Sequence, residues 1–126
     1  MASGDRSARF SLGSRVVGKM RGYRHHTRSD LTEASFALWD GREQRALKLD
    51  AGQSVTLRLA SELASGTIEC EVHAPDGTVV LALGHEAVAE ATLAAPVAGK
   101  YHMLVTATAA SGSYRLALGS SQDVAP

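Results

Sequence analysis

From residue 45 onward, apolar and polar side chains alternate with a period of two, in runs broken by turn residues every ~8–12 positions. This pattern constrains the chain more than any other feature, because a half-buried antiparallel strand requires it and an amphipathic helix, with its 3.6-residue repeat, does not fit it. Leu47 and Leu49 alternate with Lys48 and Asp50 before Ala51-Gly52 turns the chain. Val55, Leu57 and Leu59 then share one face, with Ser54, Thr56 and Arg58 on the other. Ile68, Cys70 and Val72 repeat the scheme, with Thr67, Glu69 and Glu71 outward.

Pro75-Asp76-Gly77 is the strongest turn. Its proline presets φ, its aspartate bonds its own backbone and its glycine accepts positive φ. Val79, Leu81 and Leu83 follow as a strand, and residues 101–108 and 114–118 read as a last hairpin around Ser111-Gly112. Residues 84–95 favour helix locally through Ala, Glu and Leu, but the all-strand surroundings predict a loop leading into a short strand at about residues 89–93. Upstream, residues 35–39 read as a strand and residues 15–23 as a longer one loosened by Gly18 and Gly22. The spacing Asp30-Leu31-Thr32-Glu33 matches a capping box and predicts a short turn of helix. One internal echo stands out: Ala51-Gly52 opens a stretch ending near Ser65-Gly66, and Ala98-Gly99 opens another ending near Ser111-Gly112. The expected fold is an all-β antiparallel sandwich, jelly-roll-like, of about eight strands.

With 126 residues, 44% of them hydrophobic, the chain fits one soluble domain with one core. No apolar run approaches the ~20 residues that cross a bilayer as a helix. The lone cysteine, Cys70, excludes an intrachain disulfide, and its inward position suits a small buried hydrophobe. Net charge is zero but unevenly spread: residues 1–28 carry seven Lys or Arg against Asp5 alone, and the remainder is acidic. The expected organisation is a basic N-terminal segment over residues 1–28, either an arm or a first strand, then a sandwich over 29–119 and a tail over 120–126.

Chemistry-bearing residues are few. The basic segment is the best candidate for contact with an anion, because Arg21, Arg24 and Arg28 supply charge and Tyr23 supplies a ring that stacks on a base or sugar. Trp39, the only tryptophan, joins them as a sugar-stacking platform if strict alternation from Phe36 and Leu38 turns it outward. A kink at Asp40-Gly41 instead folds it over the end of the core, and this is the favoured reading. His25 and His26 point to opposite faces if they lie on a strand, and none of the five histidines has the spacing of a metal motif. Glu69 and Glu71 share a strand face at a separation that suits paired-carboxylate hydrolysis, but any outward face gives that spacing, and Arg58 is the expected partner. His102 is flanked by apolar residues and reads as a residue of the fold. The sequence has no nucleophile elbow and no phosphate loop. Neither catalysis, nor a cofactor, nor a metal is expected.

Leu47-Lys48-Leu49-Asp50-Ala51-Gly52-Gln53-Ser54-Val55-Thr56-Leu57, Pro75-Asp76-Gly77, Ala95-Pro96 with Gly99-Lys100-Tyr101, and Gly112-Ser113-Tyr114-Arg115-Leu116 together resemble the bacterial pre-peptidase C-terminal family. The resemblance spans about residues 33–118 and rests on structural positions. It implies a small non-catalytic sandwich appended to an exported enzyme, outside the cytoplasm, with a polysaccharide or protein polymer as partner. Members also hold calcium through acidic residues of the N-terminal linker; here Arg15, Lys19, Arg21 and Arg24 stand there, so calcium does not carry over. The expected function is therefore an accessory structural or polymer-binding module. The alternative is a free-standing protein whose basic segment drives self-assembly or binds an anionic polymer, either nucleic acid or polysaccharide.

Overall fold

The computed structural model describes residue 10, residues 15–84 and residues 87–119. These residues form seven antiparallel strands: β1 (Arg15–Arg21), β2 (Arg24–Arg28), β3 (Leu31–Leu49), β4 (Ser54–His73), β5 (Val79–Gly84), β6 (Val88–Ala94) and β7 (Gly99–Gly119). Three of them, β3, β4 and β7, run for 19, 20 and 21 residues, far beyond the ~5–6 residues of an ordinary strand. Each long strand bends once. The β3–β7 ladder breaks register between Phe36 and Gly41, and the β4–β7 ladder between Leu63 and Thr67.

The aligned bends fold one hydrogen-bonded sheet into two facing layers. Layer one takes β2, the start of β3, the end of β7, the start of β4, and β6; layer two takes β1, the end of β3, the start of β7, the end of β4, and β5. The chain is thus an antiparallel β-sandwich whose central strands each serve both layers. Alternate residues of both layers fill a single core, among them Leu47, Leu49, Val55, Leu57, Leu59, Ile68, Val72, Met103 and Leu116.

The expected hairpin around Ser111-Gly112 is instead the bend of β7, and Ser65-Gly66 is the matching bend of β4. The reason is steric. Gly66 (φ +79°) and Gly112 (φ +140°) lie where the two strands cross closely, and a Cβ would sit 2.2 Å from the Ala109 carbonyl oxygen at Gly66 and 2.1 Å from that of Glu62 at Gly112. A serine-glycine pair marks a change of direction, but only the facing strand distinguishes a bend from a reversal. The sequence echo is therefore real and has a different meaning: β4 and β7 are antiparallel partners that bend at the same level.

The capping-box helix at Asp30 does not form. Ser29 and Asp30 make the turn of the β2–β3 hairpin, and β3 begins at Leu31, so ladder pairing overrides the local signal. β6 confirms a strand where local propensity favoured helix. Pro75-Asp76-Gly77 forms the expected turn, with Gly77 N–H donating to Ala74 O (2.8 Å) and Thr78 N–H to Asp76 Oδ1 (2.9 Å). Residues 15–28 are edge strands on layers two and one respectively. Arg15, Lys19 and Arg21 on β1 place charge along an unpaired edge, a placement that discourages edge-to-edge pairing. The basic residues Arg6 and Arg9 lie outside the described residues.

Candidate functional site: a polar groove over a buried ionic and aromatic cluster

A bulge in β3 decides what reaches the surface. Phe36 points inward and, with the register shifted, so does Trp39, which is fully buried. Trp39 therefore takes the core-lid position, and its surface-platform role as a binding residue is excluded by its lack of exposed area. Its ring stacks on Tyr114 (5.8 Å) and meets Phe36 (5.5 Å) and Tyr23 (5.4 Å), so four of the chain's aromatic rings gather at the bends. Each such contact adds about 0.5–1.5 kcal/mol beyond area burial.

The same register puts Glu43 and Arg45 inside. Glu43 of layer two has no exposed surface and accepts hydrogen bonds from His25 Nε2 (2.7 Å) and the Tyr114 hydroxyl, both in layer one. Arg45, 2% exposed, donates to Thr32 Oγ1 (2.8 Å), Leu31 O (3.1 Å) and Arg28 O (3.1 Å), and its guanidinium lies over the Phe10 ring. These polar contacts join the two layers at the end where the aromatics gather. Burial lowers the Arg45 guanidinium from its ordinary range, against the pull of nearby Glu43.

Burial, reinforced by the Glu43 charge, raises the Tyr23 and Tyr114 phenols, and burial raises the Cys70 thiol to about 12. Two outcomes follow. Cys70 is expected to be silent toward a thiol-specific disulfide reagent at pH 8 in native buffer and fully reactive in denaturant, because the thiolate is scarce and enclosed. All three raised groups hold their protons in the fold, so their stabilisation is complete below their unfolded values of about 9–10 and is lost as pH rises past them. Urea midpoints measured from pH 8 to 12 are expected to fall, and Tyr114→Phe is expected to flatten that fall.

Outside this cluster, layer one carries an open groove of about 480 Å³. Register explains it. Arg24, Ser35, Ser113 and Glu62 form one outward row across β2, β3, β7 and β4, and His26, Glu33, Arg115 and Ala60 form the next. Small residues (Ser35, Ser113, Ala60) occupy the middle, and long charged ones stand around them. Arg115 Nε approaches Glu33 Oε2 at 3.8 Å, the spacing of a loose, solvent-exposed pair. The inward row between the two holds His25, Ala34 and Tyr114, so the groove floor rests directly on the Glu43 cluster.

The structure separates the residues that the sequence grouped. Arg24 lines the groove, and Arg28 lies on the same outward face of β2 with its carbonyl bound to Arg45. Arg21 ends β1 on the other layer. Tyr23 packs its ring on Phe36 (6.0 Å) at the core edge, and its buried hydroxyl has no partner among the described residues. His25 and His26 do point to opposite faces, inward to Glu43 and outward to the groove. Ser35, Glu33, Ala60, Glu62, Ser113 and Arg115 went unrecognised because they come from strands far apart in sequence; the available signal was small residues at outward strand positions.

Glu69 and Glu71 lie on the outer face of layer two, lining a cleft of about 230 Å³ beside Gly84. Arg58 is not their neighbour: it lies in layer one opposite Glu90, because β4 bends between them. Glu71 Oε1 instead accepts from His73 Nε2 (3.0 Å). Among the described residues, no group of three or more His, Cys, Asp or Glu side chains is placed to hold a metal, and no helix is long and apolar enough to cross a membrane.

No protein-family model and no curated protein matches this chain. Solved structures do. The secreted serine protease VesC from Vibrio cholerae aligns with a TM-score of 0.55 and 11% identity over 86% of this chain, which covers 24% of that protein. TmCBM61, in complex with β-1,4-galactotriose, aligns at 0.53 and 13% identity, over 86% of this chain and 89% of its own. BiXyn10A CBM1 aligns at 0.51 and 10% identity, over 90% and 96%. At such identities the likeness speaks for the fold. This fold is one that carbohydrate-binding modules use.

Proposed function

We propose that this chain is a non-catalytic, polysaccharide-binding β-sandwich module of an exported bacterial protein, similar to the pre-peptidase C-terminal family, and that it takes its glycan in the groove on layer one. The groove carries this reading. It crosses four strands on an open sheet face, so a polymer lies in it without threading an end, and its lining offers donors and acceptors of the kind sugar hydroxyls need. The fold's use by carbohydrate-binding modules and its occurrence within a secreted protease agree with this role.

Affinity electrophoresis through gels containing single polysaccharides tests the proposal. The wild-type chain is expected to be retarded by at least one polymer, and Ser35→Trp, which fills the groove from an exposed position, is expected to abolish retardation while leaving the unfolding midpoint within about 0.5 kcal/mol. Retardation unaffected by Ser35→Trp would place binding elsewhere. Absence of retardation across a broad panel would remove the proposal.

A further inference from the structure

The groove lacks what a neutral sugar most often uses. Tyr114, the phenol ring among the described residues that line it, is 2% exposed and held by Glu43. Among the described residues that line the groove, none offers an exposed Trp, Tyr or Phe face for a pyranose to stack on. Recognition therefore falls to hydrogen bonds and charge. Along the edge strand β2 the outward, exposed side chains are Arg24, His26 and Arg28, spaced two residues apart and so about 6–7 Å from one another. Arg24 and His26 line one side of the groove and Arg28 continues this basic edge beyond it, with Arg115 two strands further in on the same face. No ion pair holds Arg24 among the described residues, and Arg115 meets Glu33 only loosely, at 3.8 Å. Glu62 stands at the far side, opposite Ser113.

We infer that the glycan taken by this groove is acidic, with uronate carboxylates received by Arg24, Arg28 and Arg115 and ring hydroxyls donated to Glu62. This inference rests on the glycan-binding reading above and narrows it. Guanidinium forks suit carboxylates because two parallel N–H donors meet two oxygens, and such charge-assisted pairs are about twice as strong as neutral ones. The mixed wall matters as well. With Glu33 and Glu62 among its cations, the groove suits a chain that presents hydroxyls between its carboxylates better than duplex DNA, whose phosphates would face both acids.

Polygalacturonate and its fully methyl-esterified form separate charge from sugar identity, since their backbones are the same. At low salt the wild-type chain is expected to bind polygalacturonate about tenfold or more tightly than the ester, and Arg24→Glu/Arg28→Glu is expected to erase that preference with near-unchanged thermal unfolding, both side chains being exposed. Equal binding of acid and ester, or tighter binding of the ester, overturns the acidic-glycan inference and leaves the glycan reading standing. Binding of dextran sulfate or duplex DNA as tight as that of polygalacturonate also overturns it, by showing attraction to any polyanion. Binding of none of the polysaccharides overturns the underlying reading too.

Discussion

Arg45→Ala is expected to destabilise the fold by about 3–5 kcal/mol, the range seen when one member of a buried ionic contact is removed. The substitution strips the donor from Thr32 Oγ1, Leu31 O and Arg28 O at once, and leaves Glu43 buried without the cation two residues along its strand. Each stranded acceptor costs about 1–3 kcal/mol if water cannot reach it. Arg45→Lys is expected to recover only part of the loss, because an ammonium lacks the planar fork that serves several acceptors from one position. Guanidinium denaturation reads this as a lowered midpoint at unchanged slope. A loss below about 1 kcal/mol would mean that the buried guanidinium does not join the two layers.

The second large effect lies at the bends. Gly112→Ala and Gly66→Ala are each expected to cost about 2–4 kcal/mol, since a Cβ would meet facing backbone at 2.1–2.2 Å and positive φ adds strain of its own. Gly52→Ala supplies the comparison. Gly52 also has positive φ (+81°), but nothing lies within 4 Å of its added Cβ, so about 1 kcal/mol is expected. Unfolding midpoints of the three variants distinguish contact between crossing strands from conformational preference alone. Equal losses at all three sites would mean that the strands do not pack tightly at their bends.

Much of the architecture was legible in the sequence because period-two alternation reports which face of a strand is wet. Val55, Leu57 and Leu59, and likewise Ile68, Cys70 and Val72, are buried as the pattern requires. Alternation is blind to a strand that bends. It runs unchanged through 54–63 and again through 67–73, and nothing in it tells that these stretches belong to one strand serving two layers. That is why Ser111-Gly112 read as a turn and why Arg58 was expected beside Glu69 and Glu71.

The site was less legible for a related reason. A groove on a sheet face is a property of rows that run across strands, and its members Arg24, Ser35, Ser113 and Glu62 are neighbours only through register. The sequence marked the cationic stretch that holds Arg24 and Arg28, and its kink at Asp40-Gly41 favours Trp39 as a lid on the core, but nothing in it separates Tyr23 from the cations. One bulge in β3 turned Trp39 inward, and the Glu43–His25–Tyr114 cluster formed beneath the groove from three separate strands. Glu43 and Arg45 face the core because they continue the inward row of Leu47 and Leu49.

The most direct test of the groove as an acidic-glycan site is a residue-resolved amide NMR titration with a short oligogalacturonate. Glycan binding in the groove predicts concentration-dependent shifts at Arg24, His26, Ser35, Ser113 and Arg115, with Glu69, Glu71 and Thr106 on the outer face of the other layer unmoved. Shifts confined to that other face, or absent at saturating ligand, would contradict it.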